Sequence, residues 1–166
     1  MTTRRGFTLI EFLVVMLIIG VLAALGVDLF RHHEQERLRG ACRMLEQDVA
    51  WARSATLTDP DDPASIRLLD DGGGWMVVRA SALTTPLIAA DGSPMHRCLG
   101  VGMSASAAGV ALAPVGSTSR LIEFEAYGGI RGGPESLRMT LQDSDYQCLV
   151  TFDPESGTPQ VSWPNP

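Results

Sequence analysis

Apolar residues are unevenly spread along this chain. From Phe7 to Val27 the sequence is apolar except for Thr8 and Glu11, a run of 21 residues. A helix rising about 1.5 Å per residue would stretch that run over roughly 30 Å, the thickness of a bilayer hydrocarbon core. Beyond Asp28 the pattern turns amphipathic. Leu38, Cys42, Leu45, Val49 and Ala52 recur at spacings of three and four with charged residues between them, which predicts that the helix continues to about Leu57. Thr58-Asp59-Pro60-Asp61-Asp62-Pro63 then stops it. The predicted element is about 50 residues long, or roughly 75 Å.

After this breaker the period becomes two. Ile66 to Leu69 and Trp75 to Val78 flank Asp70-Asp71-Gly72-Gly73-Gly74, which reads as a hairpin with a glycine-rich turn. No GK[ST] follows these glycines, so they are a turn and not a phosphate cradle. Residues 100–119, rich in Gly, Ala and Ser, are expected to form a loop or irregular strand. Leu121 to Ala126, Leu137 to Leu141, Gln147 to Phe152 and Gln160 to Trp163 are four further strand candidates. The expected class is α+β, a long N-terminal helix packed on an antiparallel β-sheet or β-sandwich head, without internal repeats or a second globular domain.

Charge narrows the function classes. Lysine is absent, and residues 57–166 hold 6 Arg against 13 Asp plus Glu. Such a head repels polyanions on average, so nucleic acid is not an expected partner. Arg4 and Arg5 precede the apolar run and, by the positive-inside rule, hold the N-terminus in the cytoplasm and send the C-terminal bulk outward. Ala23, Ala24 and Gly26 imitate a secretory cleavage site at the far end of the run. Gly6 at its cytoplasmic edge, with Glu11 five residues later, argues against that reading.

The string Gly6-Phe7-Thr8-Leu9-Ile10-Glu11 resembles the class III signal of type IV prepilins and pseudopilins. The resemblance implies a leader of residues 1–6, cut between Gly6 and Phe7 by prepilin peptidase, with N-methylation of Phe7. It also implies an N-terminal helix over residues 7–57, transmembrane over 7–27 and an amphipathic arm over 28–57, and a β-rich periplasmic head over 58–166. A carboxylate in hydrocarbon costs roughly 2.5 to 3.5 kcal/mol unless paired. The resemblance assigns Glu11 to subunit assembly, where it meets the amine of Phe7 in its own chain or the next subunit. Gly20 and Ala24 form a small-xxx-small pair that permits close helix approach. The first proline is Pro60, whereas major pilins usually carry one within this helix.

The long helix, the hairpin around Gly74-Trp75 and the later Ile122-Glu123-Phe124 followed by Gly128 are similar to the GspH/FimT family of minor pseudopilins and minor pilins. That similarity implies a structural subunit of the type II secretion pseudopilus, anchored in the bacterial inner membrane, with other pseudopilins and secreted cargo as partners. The alternative is a minor type IV pilin in pilus assembly, adhesion or DNA uptake. Some members of this family bind DNA through an arginine-bearing C-terminal loop. Asp153-Pro154-Glu155-Ser156-Gly157-Thr158-Pro159 has no arginine, so that activity is not carried over. A membrane-anchored sensor or enzyme is a third reading, and it needs a clustered polar pocket.

No catalytic signature stands out. There is no GxSxG or HExxH, and Cys98 beside His96 lacks further triad residues. Asp59, Asp61 and Asp62 lack EF-hand spacing, and no cysteines or histidines fall at zinc spacing, so no metal, cofactor or enzyme activity is expected. His32 and His33 are expected where the arm leaves the membrane. Cys98 and Cys148 are a possible disulfide, since both lie in the predicted exported head. Cys42 is expected to pack as a small hydrophobe on the arm.

Overall fold

The structure is a computed structural model that describes residues 9–142 and 144–163, without the side chains of residues 23–32. Its first element is a helix, α1, over Leu9–Thr58. The chain divides into two compact units, Met1–Gln35 and Glu36–Pro166. Among the described residues ten strands follow the helix, all in the second unit.

Six of them form one antiparallel sheet. It contains β1 (Ala64–Leu68), β2 (Gly74–Arg79), β3 (Ala82–Pro86), β4 (His96–Cys98), β6 (Leu121–Phe124) and β7 (Ile130–Gly132). The order is β3-β2-β1-β6-β7, with β4 also pairing with β2. The other sheet is β10-β9-β8-β5, built from β5 (Val110–Val115), β8 (Ser136–Leu141), β9 (Gln147–Phe152) and β10 (Pro159–Ser162). Its pairings are likewise antiparallel. The α+β class is what the change of period, from helical to alternating, calls for.

The arm of α1 fills the space that the strands enclose. Leu38, Ala41, Cys42, Leu45, Val49 and Ala52 are buried in one cluster with Ile66, Leu68, Trp75 and Val77 of the first sheet and Leu137, Met139, Cys148 and Val150 of the second. Burying each large aliphatic side chain contributes roughly 1.5 to 3 kcal/mol, so the arm is part of the core. Alternation along β8, with Leu137, Met139 and Leu141 inward and Arg138 outward, gives the second sheet its apolar face.

Residues 100–119 are more ordered than expected. Gly102–Ala107 forms 3-10 turns around a kink at Ser104, and Val110–Val115 pairs along its whole length with β8. The β1–β2 turn reaches this strand through its backbone. Gly72 (φ +72°) accepts from the Leu112 N–H at 2.8 Å, and a Cβ on Gly72 would lie 2.7 Å from the Leu112 carbonyl oxygen. Only glycine fits that approach.

Candidate functional site

A buried polar cluster in the head is centred on Asp48. This side chain lies on the arm's core-facing stripe and is 3% exposed. Its Oδ2 accepts from the Trp75 indole Nε1 at 2.8 Å and from Arg97 Nε at 3.0 Å, and Oδ1 accepts from Arg97 Nη2 at 3.2 Å. Buried carboxylates survive when their oxygens are satisfied in this way. The hydrogen bond and charge of Asp48 hold the Arg97 guanidinium above its ordinary pKa, against the opposing effect of lost water. The cluster joins α1, β2 and β4, and it was not foreseen from sequence. Its signal was an acidic residue at three residues from Leu45 and four from Ala52, in phase with the apolar stripe.

The cysteines fall differently from the expected pairing. Cys148, on β9, has its Sγ 3.0 Å from Cys42 Sγ, and Cys42 Sγ is also 3.6 Å from Met139 Sδ. Cys98 lies on β4 of the other sheet, half-buried, with its Sγ 3.6 Å from His96 Nε2. Cys98 and Cys148 are therefore not brought together. Cys148 occupies an inward position of the second sheet, opposite Met139, and that face meets the arm. The contact thus joins the arm to the head, and the region that holds both Cys98 and Cys148 does not bring them together.

His96 and Cys98 line an open cleft of about 350 Å³ with Asp91, Ser93 and Arg97. Asp91 is engaged with the N–H and hydroxyl of Ser93 at 2.9 and 2.6 Å, and Arg97 with Asp48. Among the described residues no group of three or more His, Cys, Asp or Glu side chains could hold a metal ion.

In the first unit the side chains from Leu9 to Leu22 are all exposed. Leu9 is 82% exposed and Ile10 71%, and even the least exposed of its large hydrophobics, Val15, is 44% exposed. A helix that is apolar on every face requires an apolar environment from outside its own chain. Glu11 stands in the first turn of this element. Among the described residues no helix is long and apolar enough to cross a membrane. The expected span of residues 7–27 begins outside the described residues, as do Arg4, Arg5, Gly6 and Phe7.

Residues 1–27 match the prokaryotic N-terminal methylation motif. This motif is the class III prepilin signal; it is consistent with a type IV pilin-like protein and implies processing by prepilin peptidase and assembly with other pilins. The methylation motif includes Gly6, Phe7 and Glu11 and covers the exposed apolar stretch. It does not reach the head. No curated protein and no solved structure matches the chain. Within the methylation motif, the residues quoted from sequence and the bare apolar surface of Leu9 to Leu22 describe the same segment from two directions.

Proposed function

We propose that this chain is a minor pseudopilin of a type II secretion system, a structural subunit and not an enzyme. The observation that carries this reading is the methylation motif over residues 1–27, which contains a helical stretch with no apolar cover of its own from Leu9 to Leu22. Prepilin peptidase removes residues 1–6, cutting between Gly6 and Phe7, and the new amine of Phe7 is methylated. The apolar helix rests in the inner membrane with the head in the periplasm until it moves into a fibre. There its apolar surface packs against neighbouring subunits, which replace lipid by protein at little cost in hydrophobic free energy. Glu11 meets an N-terminal amine, so that neither charge is left alone in an apolar core.

The head's likeness to the GspH/FimT pattern supports a minor subunit of this kind, and a minor type IV pilin is the alternative reading. Gly74 and Trp75 open β2 of the early hairpin, and Ile122, Glu123 and Phe124 form the strand beside β1. The tail between β9 and β10, which lacks arginine, gives no support to DNA binding. The test is the intact mass and N-terminal sequence of the chain recovered from membranes with and without co-expressed prepilin peptidase. A product beginning at methylated Phe7 only when the peptidase is present supports the reading, and an uncut chain, or one beginning near Gly26, refutes it. Loss of secretion, with pili unaffected, on deleting the chain separates the secretion fibre from the pilus.

A further inference from the structure

Cys42 and Cys148 are separated by 106 positions in sequence, yet their sulfurs meet at 3.0 Å inside the head. Cys42 is 3% exposed and Cys148 1%. Met139 Sδ lies 3.6 Å from Cys42 Sγ. Their separation is about 1 Å more than a disulfide bond of roughly 2.05 Å, within reach of small side-chain rotations. A tetrahedral metal with Zn–S bonds of about 2.3 Å would hold two thiolate sulfurs roughly 3.8 Å apart, farther than they lie here.

We propose that Cys42 and Cys148 are a disulfide-forming pair that locks the arm of α1 to the second sheet. The two thiols give up two protons and two electrons, and one S–S bond forms between them. The electrons pass to the disulfide of an oxidant, a protein dithiol oxidase in the cell or oxidised glutathione in vitro, which is reduced to two thiols. The exchange runs through a mixed disulfide on one cysteine, which the thiolate of the other attacks, releasing the oxidant's sulfur as a thiol.

The hydrogen bond with Cys148, together with burial, pushes the Cys42 thiol far above its ordinary pKa, while the same bond draws Cys148 below its own. Of the two thiols, Cys148 is thus the one that gives up its proton more readily. Cys42 is the member that borders solvent. It lines an open cavity of about 230 Å³ with Arg39, Arg43, Glu46, Val161 and Trp163, so an oxidant or reductant reaches the pair through Cys42. The cross-link closes a long loop, the case in which a disulfide most restricts the unfolded chain. In the cell the bond rests on the export of the head proposed above, because reducing compartments keep thiols free.

The test uses the full chain in detergent, reduced and unfolded, then refolded over a series of oxidised and reduced glutathione ratios. Acid-quenched samples are alkylated with N-ethylmaleimide and mapped by peptide mass. The expected product is lighter than the reduced chain by about 2 Da before alkylation, then carries a single alkylated thiol at Cys98, and yields a peptide linking Cys42 to Cys148. Cys98→Ser should leave the link intact with no free thiol. Cys42→Ser or Cys148→Ser should leave two free thiols and lower the Tm by on the order of ten degrees. Three alkylated thiols at every glutathione ratio, a link involving Cys98, or a metal adduct protecting both thiols would overturn the proposal. The chain isolated from cells supplies the second arm. A bond that forms in vitro, alongside three free thiols in chain from cells, supports the pair and counts against export of the head.

Discussion

Asp48 accepts a hydrogen bond from the indole nitrogen of Trp75 at 2.8 Å, across the contact between helix and sheet. The same carboxylate pairs with Arg97 of β4. Removing it leaves an indole N–H and a largely covered guanidinium without their acceptor. Asp48→Ala is expected to destabilise the head by about 3 kcal/mol. Asp48→Asn keeps an oxygen for Trp75 and should cost about half as much. Urea unfolding of the full chain in detergent, followed by Trp fluorescence, measures both.

Thr56 makes a smaller version of the same joint. Its hydroxyl, fully buried, donates to the Ala52 carbonyl at 3.0 Å and accepts from the Ala64 N–H at 3.0 Å. Thr56→Val preserves shape but leaves the Ala64 N–H buried without an acceptor. A loss of about 1 to 3 kcal/mol is expected, with Thr56→Ser recovering most of it. Thermal unfolding of the two variants side by side distinguishes the lost bond from a general sensitivity of the site.

Two turns close around Arg53. Gly128 (φ +90°) and Gly157 (φ +64°) sit beside its guanidinium, and a Cβ on Gly157 would collide with the Gly128 carbonyl oxygen. Gly157→Ala therefore combines a left-handed backbone with a clash and should cost about 2 to 3 kcal/mol. Gly92 has a similar φ of +83° but open space around it, so Gly92→Ala should cost only about 1 kcal/mol. Equal Tm losses for the two would contradict the collision.

Acid sensitivity is expected from three loop carboxylates. Asp62 is held below its usual range by the hydroxyl and N–H of Ser81, Asp91 by those of Ser93, and Asp153 by the Ser156 hydroxyl and the Glu155 N–H. Each has a folded pKa depressed from 3.8. Their stabilisation is thus complete above that value and is lost as pH falls through the folded values. The Tm contribution should be constant from neutral pH to about 5 and decline below about 4. Asp62→Asn should flatten part of that decline, and a scan of Tm against pH for the two proteins reads it directly.

Glu11 is the assembly prediction. Glu11→Ala should still be cut and methylated, because the proposed cut lies at Gly6–Phe7, but should fail to enter fibres with wild-type neighbours. Glu11→Asp, which keeps the charge, should restore part of the incorporation measured in sheared fibre fractions. Full incorporation of Glu11→Ala would remove Glu11 from the assembly contact.

What could be read in the sequence followed from strong local signals. The helix stop at Thr58-Asp59-Pro60, the glycine-rich turn before Trp75 and the alternation of Leu137, Met139 and Leu141 depend on nearby residues alone. The strands β3, β4 and β7 did not stand out, because Ala82–Pro86 is mostly exposed and the other two are three residues long. They are ordered by pairing with β2 and β6, which no local period records. Val110 and Leu112 alternate with alanines, a contrast too faint to mark β5. The Asp48 cluster and the Cys42–Cys148 contact are long-range by nature. Only an acid and a cysteine standing in the apolar stripe of α1 hinted that partners would come to them.

The helix α1 runs continuously from Leu9 to Thr58, while the chain's two compact units meet between Gln35 and Glu36. The boundary therefore falls among residues of the helix itself, ahead of Leu38, the first buried residue of the core. Anyone exchanging heads between such subunits, or preparing one as a water-soluble fragment, must cut within helical turns ahead of Leu38. A fragment begun after Thr58 would leave behind Leu38, Leu45 and Val49 and, with them, the centre of its own interior.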